Sequence, residues 1–194
     1  FYKRNYGYGS SEFVHTGYPD LERVSERVQE RGVRADLCYV CQSLVEDGRI
    51  ERAAMEAFLD ELADFADAQG LKIAFKLHPR SDLTLYHQFQ QPHELMHEGL
   101  PEAPVWIGHY SSLLAAGYAT GAKVLLVDLD GHTIPVYFSD AASAHVSASS
   151  GALEQGYREA CASAPSSELE AVFPVPSGPV AEQIAEDLFA RLGS

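Results

Sequence analysis

Short runs of apolar residues recur along the chain between longer segments of mixed polarity, at residues 36–42, 71–77, 105–108 and 123–129. Each run is shorter than a typical buried helix, and turn-forming residues lie close to its ends. Such runs are typical of strands that a parallel sheet buries on both faces. Weaker signals predict two more strands, at residues 12–17 and 171–175.

A helical period appears between the strand-like runs. Residues 49–69 place Phe58, Leu62 and Phe65 on one stripe, and Gly70 follows as a stop signal. Residues 82–100 are polar with a weakly helical middle, and residues 141–150 are predicted to be a polar loop. The other predicted helices cover residues 19–32, 111–120, 153–162 and 179–194.

This alternation of strands and helices predicts an α/β fold, with a parallel sheet flanked by helices on both faces. The chain of 194 residues is long enough for one domain with a sizeable core, and we find no internal repeat.

Composition narrows the function classes. The net charge of −14 argues against non-specific nucleic-acid binding and against a polybasic membrane patch, because both need a cationic surface. No apolar run is long enough to span a bilayer. The three cysteines cannot all pair, and with no secretion signal an odd count fits a reducing cytoplasm. A phosphate ligand stays compatible with an acidic protein, because a few local cations and amides can hold it.

Candidate chemistry lies at two predicted strand ends. The segment Lys76-Leu77-His78-Pro79-Arg80 offers a histidine between two cations. The segment Gly108-His109-Tyr110-Ser111-Ser112 offers two hydroxyls at a predicted helix start. The carboxyl ends of parallel strands lie along one edge of a sheet, where ligands bind. The two segments together therefore predict a receptor for a phosphate-bearing ligand.

Each segment has a plain structural reading beside the functional one. Pro79 favours an extended His78, whose imidazole can donate to a phosphate oxygen while Lys76 and Arg80 add charge. The same residues also suit a strand-end histidine beside a turn. Serines at a helix start cap its free amides, and those amides can also bind anions.

The two segments in this order resemble the C-terminal nucleotide-binding half of the bacterial polysialyltransferases, and the related capsule sialyltransferases and CDP-glycerol-dependent teichoic acid polymerases are similar. The shared pattern is Lys-x-His-Pro, then a strand and Tyr-Ser-Ser. The segment Cys41-Gln42-Ser43-Leu44 resembles the Gln-Pro-Leu strand end of the sialyltransferase-like members, with Ser43 in place of proline. The resemblance covers roughly residues 15–138.

This resemblance implies one Rossmann-like half of a GT-B-type glycosyltransferase. We expect residues 1–11 to be a linker or a truncation remnant, and residues 12–194 to form a single Rossmann-like nucleotide-binding domain. The missing N-terminal half would be a partner, and a glycan would be the acceptor. The location implied is cytoplasmic, with peripheral attachment at the inner membrane face through the missing part.

The resemblance also implies a donor such as CMP-sialic acid or a CDP-linked alcohol, used in capsule or cell-surface polysaccharide synthesis. His78 would be catalytic and would stabilise the leaving phosphate, with no metal or other cofactor. Glu46-Asp47-Gly48 has the letters of the family's acidic base motif but follows the first strand of this half, so we assign no base here. The residues expected to bind the donor are Gln42, Lys76, Pro79, Arg80, His109, Tyr110, Ser111 and Ser112.

Two other functions remain open from the sequence. His93 and His97, with Glu94 between them, match the zinc-hydrolase pattern His-Glu-x-x-His if they lie on a helix. A non-catalytic nucleotide-sugar-binding module is the second alternative. Cys38 and Cys41 have redox spacing, but a strand would point them to opposite faces as core thiols.

Overall fold

The computed structural model describes residues 24, 32–89, 91–129, 132, 134, 142–147, 151–164 and 179–192. The segment at residues 1–11 and the strands predicted at residues 12–17 and 171–175 lie outside the described residues, as does most of the helix predicted at residues 19–32. The elements are β1 (Leu37–Val40), α1 (Arg52–Gln69), β2 (Ile73–Lys76), a 3-10 helix (Leu83–Tyr86), β3 (Glu94–Met96), β4 (Val105–Gly108), α2 (Leu114–Ala119), β5 (Lys123–Asp128), β6 (Ala144–Ser147), α3 (Ala152–Ala162) and α4 (Val180–Leu192).

Within the described residues, six strands form one sheet in the order β3-β2-β1-β4-β5-β6, and every pairing is parallel. This is the strand order of a Rossmann-like α/β fold. The predicted fold class is therefore confirmed. The four apolar runs of the sequence form the four inner strands, β2, β1, β4 and β5.

Alternate residues along each strand face opposite sides of the sheet, and each side has its own core. On one side Tyr39, Phe75 and Ile107 pack with α1, α3 and the 3-10 helix. On the other side Val40, Trp106 and Leu126 pack with α2. Helices therefore cover both faces, which explains why the central positions of the inner strands are apolar on both sides.

The long helix α1 begins three residues later than predicted, at Arg52, and ends where predicted. Gly70 follows it in the left-handed conformation, with φ of 64°, and its N–H donates to the carbonyl oxygens of Ala66 and Asp67. Glycine adopts this conformation without steric cost, so it terminates the helix cleanly.

The two outermost strands were not predicted. Residues 144–147 form β6 instead of a loop, and residues 94–96 form β3 inside the segment predicted to be weakly helical. Among the described strands each has one neighbour, and its side chains are less buried than those of the inner strands. Exposed Leu95 and partly exposed His145 show why neither segment carries a strong apolar signal.

The terminal helix α4 carries the predicted apolar stripe, and of the three stripe positions whose exposure is described only the first is buried. Val180 is 3% exposed, whereas Ile184 is 42% and Leu188 is 54% exposed. No helix in the described part of the chain is both long and apolar enough to cross a membrane.

Helix α2 lies close to the sheet because Gly117 has no side chain. A Cβ atom built at Gly117 would lie 2.8 Å from Cγ and Cδ2 of Trp106, the chain's single tryptophan. These atoms belong to a fully buried ring that has no room to move away. The close approach holds α2, and with it the loop that precedes it, against β4.

We expect Gly117→Ala to destabilise the fold by about 1–3 kcal/mol, because this overpacking outweighs the gain in helix propensity. Chemical denaturation followed by circular dichroism measures the loss. Trp106→Leu removes the atoms that the new methyl group meets. The double variant should therefore be more stable than the sum of the two single losses predicts. Additivity within about 0.5 kcal/mol would mean that the ring is not what excludes the methyl group.

Candidate functional site

The candidate site lies where the strand order of the sheet reverses. Chain connections lead outward from β1 in one direction and from β4 in the other. In open α/β sheets, ligands bind outside the carboxyl ends of the strands at this point. A pocket of about 500 Å³ lies there. It is lined by Val40, Cys41, Gln42, Ser43, Leu44, Asp47, Arg49, Lys76, Leu77, His78, Pro79, Arg80, Tyr110, Ser111, Ser112 and Leu113.

The structure brings together nearly all the site residues predicted from the sequence. Those that line the pocket are His78 and seven of the eight expected donor-binding residues, namely Gln42, Lys76, Pro79, Arg80, Tyr110, Ser111 and Ser112. They come from three separate strand ends, after β1, β2 and β4. His109 is the exception and does not line the pocket. The hydrogen bonds of these residues then decide which of them are available to a ligand.

His78 is held with a defined tautomer. Its Nδ1 accepts a hydrogen bond from the backbone N–H of Arg80 at 3.2 Å, and its own backbone N–H donates to Ser81 Oγ at 3.1 Å. An accepting Nδ1 carries no proton, so the neutral ring carries it on Nε2. Nε2 has no hydrogen-bond partner within the described part of the chain. The half-buried His78 therefore presents a fixed N–H donor at the wall of the pocket.

Both ends of the Gln42 side-chain amide form hydrogen bonds with the backbone of Tyr110. The Tyr110 N–H donates to Oε1 at 2.7 Å, and the Gln42 Nε2 group donates to the Tyr110 carbonyl oxygen. A ligand contact was expected of this side chain, which lines the pocket and keeps one further N–H and one further oxygen lone pair. Gln42 also positions the segment that carries the two serines.

Arg80 is paired with an acid across the pocket rim. Its guanidinium donates to both carboxylate oxygens of Asp47, at 2.6 and 3.1 Å, and to Ser43 Oγ at 3.1 Å. The Ser43 hydroxyl also donates to Asp47 at 2.9 Å. These hydrogen bonds, first from Ser43 and then from Arg80, lower the pKa of Asp47. Asp47 is therefore a weak base, in agreement with the absence of a base assignment here.

Lys76 is 7% exposed, and its Nζ donates to the carbonyl oxygen of His97 at 2.5 Å. The ammonium group therefore ties β2 to the end of β3. Its charge acts on the pocket from a buried position and not from the surface.

Ser111 and Ser112 lie in a turn before α2 and not in its first turn, since the helix begins at Leu114. Ser111 Oγ accepts the Leu113 N–H at 3.2 Å, and the Ser111 and Ser112 carbonyl oxygens accept from Leu114 and Ala115. Their own backbone N–H groups make no hydrogen bond with any described residue. The site here consists of two hydroxyls and two N–H groups, without the long helix that was predicted behind them.

His109 belongs to the core, so its expected role in donor binding is wrong. The ring is fully buried; Nδ1 donates to the Val127 carbonyl oxygen at 2.8 Å, and Nε2 accepts from the Tyr39 hydroxyl at 2.8 Å. Its centroid lies 5.0 Å from that of Phe58 on α1. Burial lowers the pKa of His109 to about 4. The side chain points to the α1 side of the sheet while its neighbour Tyr110 lines the pocket.

Three polar or charged residues that line the pocket were not assigned to ligand binding from the sequence, namely Ser43, Asp47 and Arg49. All three lie in the loop after β1, where the sequence shows a strand-end motif and the letters of an acidic motif, but neither assigned these residues to the ligand. The sequence could have indicated them only through their position after the carboxyl end of an inner strand. That position predicts a ligand site only once the strand order, which places β1 beside β4, is known.

The zinc-hydrolase alternative is wrong, because its motif lies on a strand. Residues four apart in an extended chain are about 13 Å apart, too far to share one ion. His93 Nδ1 accepts the Ile73 N–H at 3.1 Å. Among the described residues, no three His, Cys, Asp or Glu side chains form a group suited to a metal. Cys38 and Cys41 are buried on opposite faces, as expected of core thiols.

Comparison with known proteins supports the fold. No protein-family model matches the chain, and no curated protein matches it in sequence. The UDP-GlcNAc 2-epimerase of Methanocaldococcus jannaschii, solved with UDP-GlcNAc and UDP, is similar in structure, with a TM-score of 0.64 and 11% identity. The similarity covers 97% of this chain and 58% of the epimerase.

A Listeria monocytogenes protein assigned as a UDP-N-acetylglucosamine 2-epimerase has a TM-score of 0.51 and 11% identity over 88% of this chain. The chain thus spans 58% and 50% of the lengths of these two structures. At such low identity, the likeness establishes the Rossmann-like fold alone.

The buried His109 makes stability depend on pH. Because its pKa falls from 6.5 in the unfolded chain to about 4 in the folded one, the unfolded chain binds the extra proton first. Stability should therefore be lost as the pH falls from 6.5 towards 4, by on the order of 3 kcal/mol. His109→Gln should lose this part of the dependence while keeping that of the carboxylates, His93 and His132. Free energies of unfolding measured from pH 8 to pH 4 test this, and parallel curves for the two proteins would contradict it.

Proposed function

We propose that this chain is the donor-nucleotide-binding domain of an enzyme that transfers a group from a cytidine nucleotide, such as CMP-sialic acid or a CDP-linked alcohol. The observation that carries the proposal is the meeting of His78, Ser111 and Ser112 in one pocket at the switch point of the sheet. Residues from two strand ends more than 30 positions apart converge there, in the order that the family resemblance requires. The cell-surface polysaccharide role rests on that resemblance.

The proposed chemistry is electrostatic. When the bond to the donor phosphate breaks, negative charge grows on the phosphate oxygens. The Nε2–H of His78 stabilises that charge through a charge-assisted hydrogen bond, and the two serine hydroxyls and N–H groups stabilise it from the opposite wall. Because the Arg80 N–H keeps Nδ1 as an acceptor, His78 meets the phosphate as a donor without needing to become charged.

The nucleotide class has support from a second direction. The Methanocaldococcus jannaschii epimerase, similar in fold, was solved with UDP-GlcNAc and UDP. That favours a nucleotide-linked sugar as ligand. It also makes uridine the alternative to cytidine as the nucleoside of that ligand. A non-catalytic nucleotide-sugar module would share this pocket and differ only in lacking turnover in the intact protein.

The general base and the acceptor site are proposed to come from a second half-domain. Asp47 is the one carboxylate among the described residues that line the pocket, and hydrogen bonds from Ser43 and Arg80 lower its pKa. In this proposal the present chain binds the donor and stabilises the leaving group. The isolated chain is then expected to bind nucleotide with little or no transfer.

Calorimetric titration with CMP, CDP, UMP and UDP tests this function. We expect wild type to bind the cytidine nucleotides, and His78→Ala to weaken binding by about tenfold or more, because a hydrogen bond to a charged group is lost. His87→Ala is the matched control, since His87 is exposed and lies outside the pocket. No binding by wild type, or equal affinity in wild type and His78→Ala, would refute the proposal. If UDP binds more tightly than CDP, the nucleobase of the ligand is uracil and not cytosine.

A further inference from the structure

Among the described residues, four charged side chains line the pocket, namely Asp47, Arg49, Lys76 and Arg80. A phosphate ligand brings negative charge into a protein whose net charge is already −14. The cation that meets this charge must be accessible and not already neutralised. The structure allows each of the three cations to be judged on these two conditions.

Arg80 is accessible but neutralised. Its guanidinium lies against the Asp47 carboxylate, with contacts of 2.6 and 3.1 Å that use both carboxylate oxygens. A bidentate pair of this kind has strong geometric preference, and Ser43 holds both partners in place. A phosphate that used Arg80 would first have to displace Asp47.

Lys76 is not accessible. It is 7% exposed, and its ammonium group donates to the His97 carbonyl oxygen at the end of β3. Moving that group to a ligand would leave the carbonyl at the sheet edge without its donor.

Arg49 meets both conditions. It is exposed, it lines the pocket, and its side chain makes no hydrogen bond or ion pair with any described residue. Its backbone N–H donates to the Leu44 carbonyl oxygen at 2.8 Å, which fixes the base of the side chain in the loop after β1. The charge of Arg49 also acts on its neighbours: it lowers the pKa of His132 in addition to the larger effect of burial, and it lowers the pKa of Asp47 less than Ser43 and Arg80 do.

We propose that Arg49 is the side chain that pairs with the phosphate charge of the ligand, and that Asp47 keeps Arg80 from taking that part. The inference rests on the proposed function for the phosphate-bearing ligand. It assigns to Arg49 the role that was expected of Lys76 and Arg80 from the sequence. It also gives Asp47 a purpose that is electrostatic and not that of a base.

The first test compares Arg49→Gln with wild type by calorimetric titration of CDP and of inorganic pyrophosphate. We expect about tenfold or greater weakening for both probes, and a weaker dependence of affinity on added salt. Arg49→Lys should keep most of the affinity. Arg34→Gln is the control, because Arg34 is also exposed but precedes β1, at the opposite edge of the sheet.

The second test releases Arg80. Asp47→Asn removes the charge that holds the guanidinium while keeping the size of the side chain. In the Arg49→Gln background it should restore at least part of the lost affinity, because Arg80 then becomes available. Circular dichroism confirms that each variant is folded. No recovery in the double variant would overturn the role given to Asp47.

The outcomes separate this inference from the function beneath it. If wild type binds both probes and Arg49→Gln binds them equally well, the inference fails and the proposed function stands. If pyrophosphate binds in an Arg49-dependent way but no nucleotide binds, the inference stands and the nucleotide function fails. If wild type binds neither probe, both are overturned.

Discussion

The site depends on one side-chain amide that continues a backbone pairing. β1 and β4 pair in a constant register up to Tyr39 and Ile107, three residues before Gln42 and Tyr110 respectively. Gln42 lies level with Tyr110 in that same register, and its amide supplies the donor and the acceptor that a backbone would have offered. The two strand ends therefore diverge enough to make a pocket while staying connected at its mouth. Everything proposed for Ser111 and Ser112 presupposes this bridge.

A single residue step separates the pocket from the core at the end of β4. His109 packs with Tyr39 and Phe58 under α1, while Tyr110 turns towards the ligand side. Successive side chains of an extended chain point to opposite faces, so a polar residue at a strand end serves the core or the site according to its phase. The sequence pattern correctly predicted where β4 ends. It did not predict which of the next two side chains, His109 or Tyr110, would face the pocket.

Much of the fold could be predicted because buried positions are mostly apolar, so the pattern of apolar residues indicates the strands and helices. The inner strands and the long helix carry strong signals, since both faces of the sheet are covered. In the described sheet β3 and β6 each have one neighbouring strand and partly exposed side chains, so their sequences carry only a weak apolar signal. The same limit applies to the site. His78, Ser111 and Ser112 follow recognisable motifs, whereas the parts played by Arg49 and Asp47 depend on which loops the strand order brings together.

The brevity of β3 has a consequence for the protein in solution. An open parallel sheet leaves backbone groups unpaired at its margins, and such margins can recruit strands from other molecules. β3 has three residues, and its first, Glu94, is paired with Lys72 at 3.3 Å. A margin this short, guarded by a charged pair, is a poor template for intermolecular strand addition. At β3 the described part of the sheet therefore has a margin that disfavours self-association.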